Sequence, residues 1–122
     1  MDSVFRQLKA EERDLLEKLL EPEFEGRDEL RSQLIGVVAR ELHEDGTLSL
    51  RCSSGSPAPG KHRLVAEGVC KDVDGMNIEV LLHVDKIGFM HMLEILKYGI
   101  SPIIHAPTAR DLVVLGKNSG RR

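Results

Sequence analysis

Three tight-turn signals divide the stretch from residue 37 to about 98, and they constrain the fold more than any other feature of the chain. Asp45-Gly46 and Asp74-Gly75 each separate two β-leaning runs, the strongest short-range signal for a hairpin. Asp85 to Gly88 is a four-residue turn between "NIEVLLHV" and "FMHMLEILK". The first of these two runs alternates strictly at its start and reads as a strand. The second is ambiguous. Phe89, Met92, Leu93 and Leu96 fit a helical stripe, whereas a strand places Phe89, His91, Leu93 and Ile95 on one face. The preceding turn favours the strand, because a short connection after a strand suits a hairpin. "PIIHAP" and "DLVVL" offer a sixth short run.

Upstream of residue 37 the period is helical. Over residues 9–21, Leu15, Leu16, Leu19 and Leu20 build one apolar side and Glu11–Glu12 suit the positive helix start. Pro22 ends the run. After Gly26, Asp28 and Glu29 occupy a first turn, and Leu30 and Leu34 lie one turn apart, which predicts a second helix ending at Gly36. Residues 53–61, "SSGSPAPGK", form a loop by composition. The expected architecture is α+β, with two N-terminal helices packed on an antiparallel β-meander of about five strands. The 122 residues fit a single domain, with an ordered core over about 5–115 and a disordered tail at 116–122.

Charge and composition narrow the function classes. A net charge of −3 and one Tyr, three Phe and no Trp argue against nucleic-acid binding by phosphate contact or stacking. Residues 1–45 carry a net −6 and residues 46–122 a net +3, so the helical half is acidic. A solvated helix face explains that bias as readily as a basic partner. "MDSVFRQLKAEERD" has no basic segment followed by an apolar one, and no run is long enough to span a bilayer. A cytoplasmic protein that binds no membrane is expected. Cys52 and Cys70 then read as reduced, buried and inert thiols without metal.

Four blocks in a fixed order carry a resemblance: "FRQLKAEERDLLEKLL", "FEGRDELRSQL", "DVDGMNIEVLLHVDKIGFMHMLEI" and "GISPI". Over about residues 5–104 the chain resembles a family of small bacterial proteins classed as a domain of unknown function. The resemblance implies a fold and a bacterial origin but no reaction. The matching positions include Arg6, Gly26, Arg27, Asp28, Glu29, Gln33, His83 and Glu94. Lys9 replaces an expected capping Ser or Thr, which implies a weaker helix start. Met92 replaces an expected Glu, which weakens any scheme that needs paired carboxylates there.

Two constellations are candidates for a site. With Val84 opposite Phe89, His83 would face Met90, Leu82 would face His91 and Glu79 would face Glu94. Strand alternation then sets Glu79, His83, Asp85 and Glu94 on one face, opposite the core stripe Ile78, Val80, Leu82 and Val84. His91 falls on the apolar face as a core histidine. His83 and Asp85, two apart, could share a ligand or metal with Glu79 or Glu94, although a partly solvated outer sheet face explains the same residues. The second candidate is Arg27 at the start of the second helix, where free backbone N–H groups favour a carboxylate or phosphate. The structural alternative is that Asp28 or Glu29 caps that helix while Arg27 pairs with a neighbouring acid. No nucleophile elbow, phosphate loop or metalloprotease motif occurs, and Ser53, Ser54 and Ser56 lack a base. No catalytic residue, metal site or cofactor is expected.

The expectation is therefore a non-enzymatic cytoplasmic binding or regulatory protein acting through protein–protein contact, with an immunity-type role as an analogy. The alternative is a small-ligand or metal-binding protein, or an enzyme, using the His83/Asp85/Glu94 face. Homodimerisation through the sheet edge is a third use of the same architecture.

Overall fold

The computed structural model describes residues 4–115. Among them the chain forms β1 (Arg6–Gln7), α1 (Ala10–Leu19), α2 (Arg27–Gln33) with a 3-10 turn at Leu34–Gly36, and β2 (Val37–Glu41). Five more strands follow: β3 (Leu48–Cys52), β4 (Leu64–Lys71), β5 (Asn77–Val84), β6 (Met90–Lys97) and β7 (Val113–Val114). All pair antiparallel in one sheet of order β1-β2-β3-β6-β5-β4-β7. The α+β class and the strand reading of residues 90–97 hold.

Three expectations need correction. Among the described residues strands number seven rather than about five, and the helices lie between β1 and β2 rather than opening the chain. The sheet is also no simple meander, because β3 pairs with β6 while β4 lies beyond β5. The loop after β3 carries the chain across to β4, pinned by Ala58 N–H donating to Gly88 O at 2.9 Å. The tail at 116–122 lies outside the described residues.

The sequence chemistry of each element is visible in its packing. Lys9 has no capping side chain to offer, so α1 begins on the other half of a capping box: Glu12 accepts from the Lys9 backbone N–H at 2.8 Å. Arg6 grips the same carboxylate with two bonds, 2.9 and 3.0 Å, and also reaches Glu41, which fastens β1 to the helix start. Both helices lie on one face of the sheet. Leu16, Leu19, Leu20 and Leu30 are fully buried against Ile78, Val80 and Leu82, in a cluster that extends to Val37, Leu48, Leu93 and Ile95. Burying each such leucine contributes about 1.5–3 kcal/mol relative to exposure.

Candidate functional site

The site of interest is the other face of the sheet, which neither helix covers. Alternation along β2, β3, β6 and β5 turns Arg40, Ser49, Met92 and His83 outward as one cross-strand row. The adjacent row runs Glu67, Leu81, Glu94 across β4, β5 and β6. The next runs Val69, Glu79, Leu96.

The expected pairing of β5 with β6 is corrected here. Val84 lies opposite Met90, His83 opposite Met92, Leu82 opposite Leu93 and Glu79 opposite Leu96. A bulge at His83/Val84 absorbs one residue of β6, and that residue is His91. His91 is consequently exposed rather than a core histidine. Because the bulge restores the alternation, the core stripe Ile78, Val80, Leu82 and Val84 is buried as expected.

The new register brings two of the expected residues together. His83 Nε2 lies 2.9 Å from Glu94 Oε1, the ring N–H donating when that nitrogen carries the proton. Their side chains are 23% and 34% exposed, so the pair is partly screened by solvent. A carboxylate in this position orients the imidazole and selects its tautomer. Glu79 lies one row away. Asp85 is committed elsewhere: its Oδ1 accepts from the backbone N–H groups of Ile87, Gly88 and Phe89 at 3.0, 2.9 and 3.0 Å. Burial pushes the Asp85 carboxyl up, but these three bonds and the nearby His91 outweigh it and hold the group below the usual carboxylate range. Among the described residues no group of three His, Cys, Asp or Glu side chains converges to hold a metal ion.

Arg27 is far from this face and is engaged by its own loop. It donates to Glu21 O at 2.8 Å and to Asp28 Oδ1 at 3.2 Å, with Glu23 at 3.8 Å. Neither Asp28 nor Glu29 caps α2; its N-cap is Gly26, in the left-handed region with φ 93° and no side-chain cap bond. Cys52 and Cys70 are free thiols. Burial pushes Cys52 up to about 11, and it raises Cys70 as well, so neither is an activated nucleophile.

Several residues that organise the site carried no readable signal. Gln33 is fully buried and bonds three backbone groups around the start of β6. Thr47 is buried with its hydroxyl accepting from Ile95 N–H at 3.0 Å. Arg40 and Arg51 face outward beside Phe5, which only β1 brings there. Gln33 was a matched position, but its burial depends on the crossing loop that the sequence left unplaced.

The family model for a domain of unknown function, DUF6984, matches residues 5–107. The chain belongs to this family. The DUF6984 match runs from before β1 through β6, so it contains Arg27, His83, Glu94 and the whole outer face except β7. No curated protein and no solved structure matches the chain. Among the described residues, no helix of this DUF6984 member is long and apolar enough to cross a membrane.

Proposed function

We propose that the chain is a non-enzymatic binding or regulatory protein of the bacterial cytoplasm, working by protein–protein contact through the uncovered face of its sheet. The observation that carries this reading is the one-sided placement of the helices. It leaves a face of mixed apolar and charged residues, with Met92, Val69 and Leu96 between Glu79, His83, Glu94 and Arg40. Met and Arg are enriched at protein interfaces, where apolar area is otherwise ordinary, and the glutamates, depleted from interface cores, suit a polar rim. An immunity-type role, in which the chain neutralises a partner, is one form this contact could take.

The test is recovery of a partner at 1:1 stoichiometry from the host with the native chain, and its loss with Met92→Arg/Leu96→Arg. Both side chains lie outside the core, so the variant should fold. Recovery of no stoichiometric partner, or equal recovery by the variant, contradicts the proposal.

A second reading, a small-ligand or metal-binding protein or an enzyme using His83, Asp85 and Glu94, is favoured by the 2.9 Å His83–Glu94 contact. Asp85 counts against it, because one of its oxygens already holds the turn. A thermal-shift screen with divalent metals and metabolites separates the readings. A specific ligand raises the melting temperature, and His83→Ala removes the gain.

A further inference from the structure

Phe5, one residue before β1, lies against two arginines on the outer face. The Cζ of Arg51 is 4.0 Å and that of Arg40 5.0 Å from the Phe5 ring centroid. Register explains the juxtaposition. Arg40 lies opposite Ser49, and Arg51 opposite Val38, so the two side chains leave adjacent strands as diagonal neighbours.

Both also lack a counter-charge, as Arg31, Arg63 and Arg110 do among the described residues; what sets Arg40 and Arg51 apart is that they share one ring. Among the described residues neither guanidinium has a carboxylate within salt-bridge distance or a side-chain hydrogen bond to a protein acceptor. Arg6, next in sequence to Phe5, is satisfied by Glu12 and Glu41, and Arg27 by Asp28 and the Glu21 carbonyl. Two like charges are thus held side by side on one ring and left unneutralised. Their fork geometry is suited to bidentate capture of an oxyanion.

A cleft of about 360 Å³ opens at this place, bordered by Arg40, Arg51, Ser49, Met90 and His91. That volume is at the small end of ligand sites, which span about 300–1,000 Å³. Asp85 also borders the cleft, but its Oδ1 accepts three backbone N–H groups on the turn side. An anion is therefore favoured at the arginine end, where the Ser49 hydroxyl adds a donor. Cys52 lines the wall as a neutral thiol.

We propose that this cleft binds a small oxyanion, a phosphate or carboxylate group, gripped by Arg40 and Arg51 while Phe5 holds the two guanidiniums in register. The site stands whether or not the sheet face takes a protein partner. The group could belong to a free metabolite or to a side chain presented by another protein. The net charge of −3 is unfavourable for a polyanion, so a single anionic group is the fit.

The test is a titration of the full chain with inorganic phosphate, succinate and an end-capped hexapeptide carrying one glutamate as its sole charge, followed by amide NMR shifts at constant ionic strength set with sodium chloride. The expected result is saturable shifts centred on Ser49, Arg51 and His91 with at least one of the three probes. Saturation by phosphate or succinate identifies a free small anion; saturation by the peptide alone identifies a presented side chain. Arg51→Lys and Arg40→Lys keep the charge but lose the fork, and each should weaken binding by about tenfold or more. Shifts that stay linear for every probe, or that map away from the cleft, overturn the proposal. So does equal affinity in both Lys variants. If a variant fails to give a dispersed spectrum, the native titration alone decides, by whether saturation occurs and where it maps.

Discussion

Gln33 joins three parts of the chain that are far apart in sequence. Its Nε2 donates to Ser56 O at 2.8 Å and Gly88 O at 2.9 Å, while its Oε1 accepts from Met90 N–H at 2.8 Å. Gln33→Leu keeps the bulk of the side chain and strands the buried Met90 N–H, while Gly88 O keeps its bond from Ala58 N–H and Ser56 O lies in an exposed loop. A buried orphan costs about 1–3 kcal/mol, so a loss of about 1–3 kcal/mol is expected in urea unfolding. A change within 0.5 kcal/mol, roughly the scatter of an ordinary surface substitution, would mean that water replaces the amide. Leu82 and His83 provide a second comparison at this scale. Leu82 is fully buried, and Leu82→Ala should cost about 2–5 kcal/mol. His83 is partly exposed, and losing its contact with Glu94 should cost below about 1 kcal/mol. The reverse order would place His83 in the core.

At the scale of elements, the β5–β6 hairpin shows what the sequence could and could not reveal. Alternation assigned the two faces of β5 correctly, because one buried face fixes where the apolar residues go. The pairing of β6 differs from expectation by two residues: the turn shifts it by one, with Val84 opposite Met90 rather than Phe89, and the bulge by one more, and nothing in "GFMHML" distinguishes the residue that is left over. The two-residue strands β1 and β7 have no period to read. The arginine cleft is illegible for the same reason, since Phe5 reaches Arg40 and Arg51 only through β1. Gln33 and the crossing loop were illegible for a related reason: their partners are distant backbone atoms rather than a local pattern. The turn between the two strands carries its own prediction. Gly88 has φ +114°, and a Cβ there would collide with the Ala58 backbone of the crossing loop. Gly88→Ala should therefore destabilise by more than about 1 kcal/mol, the usual span of a simple glycine effect. It should also increase amide exchange at Ala58, whose N–H bonds Gly88 O. Unchanged exchange there would detach the loop from the hairpin.

For the whole molecule, Asp72 is a buried fastener at the end of the sheet opposite the cleft. It accepts from Ile104 and His105 N–H at 2.7 and 2.9 Å and from Lys97 Nζ at 2.9 Å, tying the segment after β6 to the β4–β5 turn. Burial pushes its carboxyl up, but the bonds from Ile104, Lys97, Val73 and His105 more than offset that and hold it well below its ordinary 3.8. Asp74 and Asp85 are lowered in the same direction. A depressed carboxyl contributes stability above its unfolded value, and that contribution is lost as pH falls toward its folded value. The protein should therefore weaken progressively below about pH 4. Asp72→Asn should be less stable at neutral pH and show a flatter acid limb in urea midpoints; an unchanged acid limb would assign the loss to other carboxylates. The functional claim for the whole molecule is that recognition occurs on the uncovered sheet face and not on the acidic helices. Photo-crosslinking tests it most directly, with a photoreactive residue placed in the host at Met92 on the sheet face or at exposed Glu17 on α1. A discrete adduct of one partner is expected from position 92 and none from position 17. An adduct from position 17 alone, or none from either, would contradict it.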